Sequence, residues 1–191
     1  MKINFKTTKP NSKEYNYQNH EWFLEEQLNL DEILKNPQFQ KFKYCGKIIA
    51  SKSEAGYEIE LASDFKGKSF VIYLIVKNGK ILKGGKSKNP LDTRSYYAGT
   101  EESWTMRGTP SVTNYVWSQI FRESLKDGNP VSFYGYVVPS QTMQFESFDG
   151  KIVENVVSPY EEEEKKLNQL LNKLNGKKVI GEGKLLEKIK K

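Results

Sequence analysis

The stretch VIYLIVKNGKILKGGKSKNPLDTR, residues 71–94, contains the strongest structural signals in the sequence. Two apolar runs flank Asn78 and Gly79, a dipeptide that readily adopts the positive φ angles of a two-residue hairpin turn. The pattern therefore predicts a β-hairpin, and it places Tyr73 and Lys83 on neighbouring strands.

The second half of this stretch is rich in groups suited to binding a phosphate. Gly84-Gly85 lets a ligand approach the backbone closely, and Lys86 adds a cation directly after the pair. Pro90 suits the first turn of a helix that would contain Arg94. Phosphate donors are therefore predicted to cluster around one hairpin.

Composition indicates a single soluble domain with an anionic partner. The 191 residues are 37% hydrophobic and 28% charged, the formal net charge is +6, and no apolar run reaches the roughly 20 residues that span a bilayer. We therefore expect no membrane partner. With a single cysteine, Cys45, and no signal-peptide pattern, we expect a cytoplasmic protein whose thiol is buried and inert.

Hydrophobic periodicity predicts an α+β fold in which a small central antiparallel sheet is flanked by helices. We expect an N-terminal segment (1–65) with a helix and a strand pair, a core (66–176) and a basic tail (177–191). The expected helices cover 20–35, 90–97, 111–126 and 158–175, the last capped by Ser158-Pro159, and the expected strands cover 44–49, 57–61, 69–86 as a hairpin, 131–138, and 143–157 as a second hairpin around Asp149-Gly150.

The sequence excludes several kinds of active site. One histidine, His20, and one cysteine do not make a Cys/His zinc site, and there is no phosphate-binding P-loop, dinucleotide fingerprint or calcium loop. The chemistry that remains is phosphodiester hydrolysis with tyrosine or lysine as the base, arginine as the electrophile and a carboxylate for a metal ion.

The hairpin and the loop after it resemble the signature of the GIY-YIG nuclease superfamily. Val71-Ile72-Tyr73 stands at the first half of that signature, Lys83-Gly84-Gly85 at the second, and residues 86–94 form the loop and the helix with its arginine. Two positions depart from the pattern: Val71 replaces a glycine and Lys83 replaces a tyrosine. With lysine at this position, the chain resembles a branch of small type II restriction endonucleases in which lysine also replaces the tyrosine.

A second stretch, residues 107–115, is also similar to that branch, so the resemblance covers about 70–176. The resemblance implies that residues 107–115 contact DNA. The DNA-binding candidates are Arg107, Thr109, Ser111 and Asn114.

The resemblance also implies roles for the site residues. Tyr73 would be the general base, although Lys83 with a lowered pKa is an alternative. Glu163 on the last helix would hold Mg²⁺ (or Mn²⁺), with Glu164 close behind because both lie at suitable spacings from the leucines of that helix. Arg94 and Lys86 would bind the scissile phosphate, Tyr97 or Tyr96 would take part in the site, and Asn175 is either a family asparagine or a helix cap.

We therefore expect a Mg²⁺-dependent, sequence-specific endonuclease for double-stranded DNA, acting as a homodimer and encoded near a cognate DNA methyltransferase. The N-terminal 65 residues would wrap DNA or build the dimer. The alternatives are a GIY-YIG nuclease of the repair, homing or phage type, and a catalytically inert nucleic-acid-binding module.

Overall fold

A computed structural model describes residues 27–53, 55–93 and 112–176. They form an α+β fold with a five-stranded antiparallel sheet and a separate two-stranded sheet, which confirms the expected fold class. The helices are α1 (Leu30–Leu34), α2 (Val112–Lys126) and α3 (Tyr160–Asn175), and the strands are β1 (Lys43–Ala50), β2 (Tyr57–Leu61), β3 (Val71–Lys77), β4 (Lys80–Ser87), β5 (Ser132–Val137), β6 (Gln141–Glu146) and β7 (Ile152–Val157).

The large sheet has the strand order β2-β1-β5-β3-β4, so β4 is an edge strand. Its two faces are covered by different helices. The α2 face carries Tyr73, Ile75 and Phe133 against Trp117 and Phe121 of α2. The opposite α3 face packs against α1 and α3, and its core residues are Leu30, Ile33, Phe39, Phe42, Ile72, Leu74, Val76, Ile81, Val138, Leu167 and Leu171.

The β3–β4 hairpin turns at Asn78 and Gly79, whose φ angles of 50° and 70° confirm the predicted turn. Three residues into the hairpin the register shifts: Val76 pairs with Ile81, but Ile75 pairs with Lys83. This β-bulge moves every later pair by one residue. Tyr73 consequently lies opposite Gly85, whereas an unbroken two-residue hairpin would have placed it opposite Gly84.

Two predicted helices differ from what the structure shows. In the segment predicted as helix 20–35, residues from 27 onward are helical only over Leu30–Leu34, where Asn29 caps the first turn by accepting hydrogen bonds from the amides of Asp31 and Glu32. In the segment predicted as helix 90–97, Leu91–Thr93 form a single 3-10 turn. Residues 20–26 and 94–97 of these segments lie outside the described residues.

The predicted cap of the last helix was wrong. Pro159 is the N-cap residue, without a side-chain cap, and its carbonyl accepts from the Glu163 amide at 3.0 Å. The helix therefore starts one residue later than predicted, so Ser158 is too far upstream to cap it. Within the described chain, the Ser158 hydroxyl is buried and has no hydrogen-bond partner.

Strands β1 and β2 belong to the segment that we assigned to an N-terminal arm. Both lie in the central sheet, because β1 pairs with β2 on one side and with β5 on the other. A role of residues 1–65 in DNA wrapping or dimerisation stays a prediction, and the tail 177–191 lies outside the described residues. Among the described helices, none is long and apolar enough to span a membrane.

Removing Asp127 should destabilise the fold. The Lys77 side chain is fully buried, and its Nζ lies 2.9 Å from Asp127 Oδ2 just after α2. A buried ammonium loses much of its stabilisation when its carboxylate is removed, but the effect is reduced here because Asp127 is half-exposed. We therefore expect Asp127→Ala to lower the free energy of unfolding, measured by urea titration, by about 2 kcal/mol. Lys126→Ala, which breaks an exposed pair with Glu123, is the control and should change it by less than about 0.5 kcal/mol. Equal effects of the two variants would contradict the conclusion that Asp127 stabilises the fold by pairing with the buried Lys77.

Candidate active site

Tyr73 lies on β3, on the α2 face, and its side chain is almost completely buried. The ring lies directly over Gly85 of the neighbouring strand. A Cβ atom at Gly85 would lie 2.7 Å from Tyr73 Cζ, 2.8 Å from Oη and 2.9 Å from Cε2. Only glycine leaves room for the ring here, so the Tyr73 hydroxyl sits above the edge strand of the sheet.

Lys83 also lies on the α2 face, because the bulge places it opposite Ile75. Its Nζ is 5.8 Å from the centroid of the buried Trp117 ring, close enough for a cation–π interaction. The structure thus confirms that Tyr73 and Lys83 lie on neighbouring strands, and it places both on the same face of the hairpin.

Lys86 lies opposite Ile72 and therefore on the α3 face. Its Nζ is 3.1 Å from Glu164 Oε2 and 3.4 Å from Glu161 Oε1, both on α3. Partial desolvation by itself would lower the pKa of Lys86, but hydrogen bonds and charge attraction from Glu164 and Glu161 outweigh it and raise this pKa. Lys86 stays an ammonium group, suited to binding a phosphate and not to accepting a proton.

Glu163 points to a different strand from Glu164. The Tyr136 hydroxyl on β5 donates a 2.7 Å hydrogen bond to Glu163 Oε2, and Lys166 Nζ lies 2.8 Å from Oε1. The bonds from Lys166 and then Tyr136 lower the pKa of Glu163, while burial followed by the bond to Glu163 raises that of Tyr136. Tyr136 and Lys86 both pair with Ile72, so β3 separates the positions of Glu163 and Glu164.

The carboxylates on α3 fit a hard divalent cation. In the described parts of the chain there is no cluster of three or more Asp, Glu, His or Cys side chains able to hold a metal ion. Mg²⁺ does not need one, since one or two carboxylates with waters and a substrate phosphate are enough. Glu161 and Glu164 already converge on one cation, Lys86 Nζ, beside the hairpin. Glu164, with Glu161 beside it, is therefore better placed than Glu163 to hold a metal ion at the hairpin.

The remaining predicted site residues are not placed by the structure. Arg94, Tyr96, Tyr97, Arg107, Thr109 and Ser111 lie outside the described residues, and for Asn114 only the backbone, within α2, is described. The left-handed residue that ends α3 is Gly176, with φ 65°, and not Asn175.

Gly84 and Gly85 are each closely packed by protein side chains, from opposite faces of the hairpin, which the sequence did not indicate. A Cβ atom at Gly84 would overlap Asn168 Oδ1 and lie 3.1 Å from a Leu171 methyl of α3, just as one at Gly85 would overlap Tyr73. The glycine pair was a signal for close approach, but it did not show that protein side chains approach from both sides. The hydrogen bond from Tyr136 had no sequence signal, whereas Glu161 is one of the four successive glutamates, Glu161–Glu164, from which the sequence predicts the metal ligand.

Of the comparisons with known proteins, only the one with solved structures found matches. No family model and no curated protein sequence matches the chain. Among solved structures, it is similar to restriction endonuclease HPY188I in complex with product DNA, with 25% identity over 83% of this chain and 87% of the other, and a TM-score of 0.52. It is also similar to a variant of bacteriophage T4 EndoII, with 20% identity over 76% of this chain and 95% of the other, and a TM-score of 0.48. The chain therefore has a fold similar to that of a restriction endonuclease over most of both lengths.

Proposed function

We propose that this protein is a Mg²⁺-dependent, sequence-specific endonuclease of the type II restriction class, built on a GIY-YIG nuclease core. One observation supports this most strongly. The Tyr73 hydroxyl lies over the edge strand of the sheet, with Lys83 on the same face and Lys86 on the other. This arrangement occurs in a fold that is similar, over most of its length, to a restriction endonuclease solved with product DNA.

The substrate class follows from charge. The chain has a formal net charge of +6, and two lysines flank the edge of the hairpin where a backbone phosphate can approach. Lysine contacts to phosphates supply most of the sequence-independent affinity of proteins for DNA. Double-stranded DNA, cut on both strands by a homodimer, is the substrate that fits these features best.

Tyr73 is the preferred general base because its hydroxyl lies over Gly85 of the edge strand, on the same face as Lys83. Lys83, on the same face, would favour the phenolate by charge attraction. Lys83→Arg separates the two candidate bases, since arginine keeps the charge but does not lose its proton. Cleavage retained by Lys83→Arg and lost by Tyr73→Phe supports Tyr73, and the reverse result supports Lys83.

The α3 side of the hairpin would hold the phosphate and the metal ion. Lys86 would bind a non-bridging phosphate oxygen, and Arg94 would neutralise the charge that develops on the phosphorus centre. Glu164, with Glu161 beside it, would hold Mg²⁺, and Glu163 remains the alternative ligand. Bound Mg²⁺ supplies positive charge for the leaving oxygen.

The test is to incubate the protein with plasmid DNA and Mg²⁺ and to sequence the ends of the products. Discrete fragments with one common end sequence are expected. A smear or nicked circles would point instead to a nuclease of the repair, homing or phage type, and binding without cleavage across several divalent metals would overturn the enzyme assignment. A DNA methyltransferase that protects the same sequence, encoded beside this gene, would agree with the proposal.

A further inference from the structure

The β6–β7 hairpin is exposed along its whole length. Each of its two strands pairs only with the other in the described chain, and all twelve strand residues are exposed. Its exposed large apolar residues are Met143, Phe145, Phe148, Ile152, Val153, Val156 and Val157. An isolated two-stranded hairpin is marginally stable in water, and a contiguous exposed apolar patch marks an interaction surface.

The carboxylates of the two strands lie on one face of this hairpin, together with Ile152 and Val156, and the other face carries no charge. Pairing of Met143 with Asn155 and of Phe145 with Val153 fixes which residues share a face. The uncharged face, as we name it, consists of Gln141, Met143, Phe145, Val153, Asn155 and Val157; the acidic face consists of Thr142, Gln144, Glu146, Ile152, Glu154 and Val156. On the acidic face, Gln144 donates a 2.6 Å hydrogen bond to Glu154.

The charge of the hairpin argues against DNA as its partner. Residues 141–157 contain three acidic residues, Glu146, Asp149 and Glu154, and one lysine, Lys151, so this segment is net negative in a chain of net charge +6. A DNA-contacting hairpin would need cations to meet the phosphates. The partner is therefore a protein surface that can cover an uncharged apolar sheet.

We propose that this partner is a second copy of the same chain, and that two hairpins pack through their uncharged faces about a two-fold axis. A two-fold contact brings the same patch of both copies together, so the acidic face would set the carboxylates of Glu146 and Glu154 against those of the other copy. The acidic face is disfavoured by that repulsion, whereas the uncharged face is self-complementary. Burial of Met143, Phe145, Val153 and Val157 would stabilise both the contact and the hairpins.

The first test measures self-association without DNA or metal, so its outcome does not depend on the nuclease proposal. The protein should have a dimer mass in sedimentation equilibrium at micromolar concentration. Phe145→Asp and Met143→Asp should each weaken the dimer at least about tenfold. Thr142→Asp, an equally exposed change on the acidic face, should leave the dissociation constant unchanged, and circular dichroism checks that all three variants fold.

The second test uses cross-linking and does not require the hairpin to tolerate a charge. Asn155→Cys, on the uncharged face, should form a disulfide-linked dimer under mild oxidation, whereas Thr142→Cys should not. The native thiol, Cys45, is fully buried and gives no background. A monomeric wild-type protein, a dimer unaffected by Phe145→Asp and Met143→Asp, or a loss of DNA affinity in these variants without a change in mass would overturn the proposal.

Discussion

Replacing Glu164 with glutamine should reduce Mg²⁺-dependent DNA cleavage at least about a hundredfold, whereas Glu163→Gln should retain most of it. Glu164 lies 3.1 Å from Lys86 beside the hairpin, while Glu163 is hydrogen-bonded to Tyr136 on β5. Glutamine has nearly the same shape but no charge, so it removes the negative charge that Glu164 offers to the proposed metal ion and to Lys86. Glu164→Gln should also bind DNA more tightly, because Lys86 would lose one of the two carboxylates that neutralise it.

Calorimetric titration with Mg²⁺ or Mn²⁺, run beside the cleavage assay, checks this expectation. Glu164→Gln should lose the binding heat, and Glu163→Gln should keep it. Tyr136→Phe is a further control, since it removes the hydrogen bond to Glu163 and leaves the Glu164–Lys86 pair intact. If Glu163→Gln abolished metal binding while Glu164→Gln did not, the metal ligand would be Glu163.

Adding one methyl group at Gly85 should remove nearly all activity. A Cβ atom there would lie 2.7 to 2.9 Å from three atoms of the Tyr73 ring, and the strand backbone of an edge hairpin does not open a gap of that size without losing its pairing. The ring must therefore swing away from the edge, which displaces the proposed base by about an ångström. We expect Gly85→Ala to lower the single-turnover rate about a hundredfold and the stability by about 1–3 kcal/mol.

Gly84→Ala is the matched control for Gly85→Ala, since the same methyl group is added one residue away. There the new atom would press on Asn168, Leu171 and Leu167 of α3 and leave Tyr73 in place. Because α3 holds the proposed metal ligand, loss of activity in Gly84→Ala should be recovered by raising the Mg²⁺ concentration. Recovery of Gly85→Ala by the same treatment would contradict the contact with Tyr73.

The elements predicted best from the sequence are those with local causes. The Asn78-Gly79 turn is specified by its own two residues, and β2 was predicted over the same 57–61 that the structure shows. Helix α2 was predicted within one residue of its start, from periodic apolar positions that include Ile120. In each case, backbone preference and side-chain pattern favour the same structure.

The face occupied by Lys83 could not be predicted from strand alternation. Counting outward from the turn places Lys83 opposite Leu74, on the α3 face, and Gly84 opposite Tyr73. The bulge reverses this because Leu82 and Lys83 both turn to the α2 face, where Leu82 joins the core with Trp117. Trp117 is 35 residues beyond Leu82 in the sequence, so no local pattern reports this packing.

The choice between two adjacent glutamates was similarly beyond helical periodicity. Glu163 lies four residues before the buried Leu167, and Glu164 lies three residues before Leu167 and seven before the buried Leu171. Both glutamates therefore border the apolar face of α3. What separates them is the strand that each one meets: β5 with Tyr136 for Glu163, and β4 with Lys86 for Glu164. Strand order depends on how the whole sheet assembles, so the sequence of the helix alone does not predict which strand each glutamate contacts.

The reactivity of the buried thiol of Cys45 can report how often the protein opens around it. The cysteine occupies the register shift between Tyr44 and Gly46, where β1 meets β5, and its side chain is fully buried. Burial raises the pKa of this thiol, so the reactive thiolate is scarce as long as the strands stay together. A thiol reagent can label it only when the core packed around it opens. The labelling rate therefore measures how often this part of the core opens under native conditions, residue-specifically and without any introduced probe.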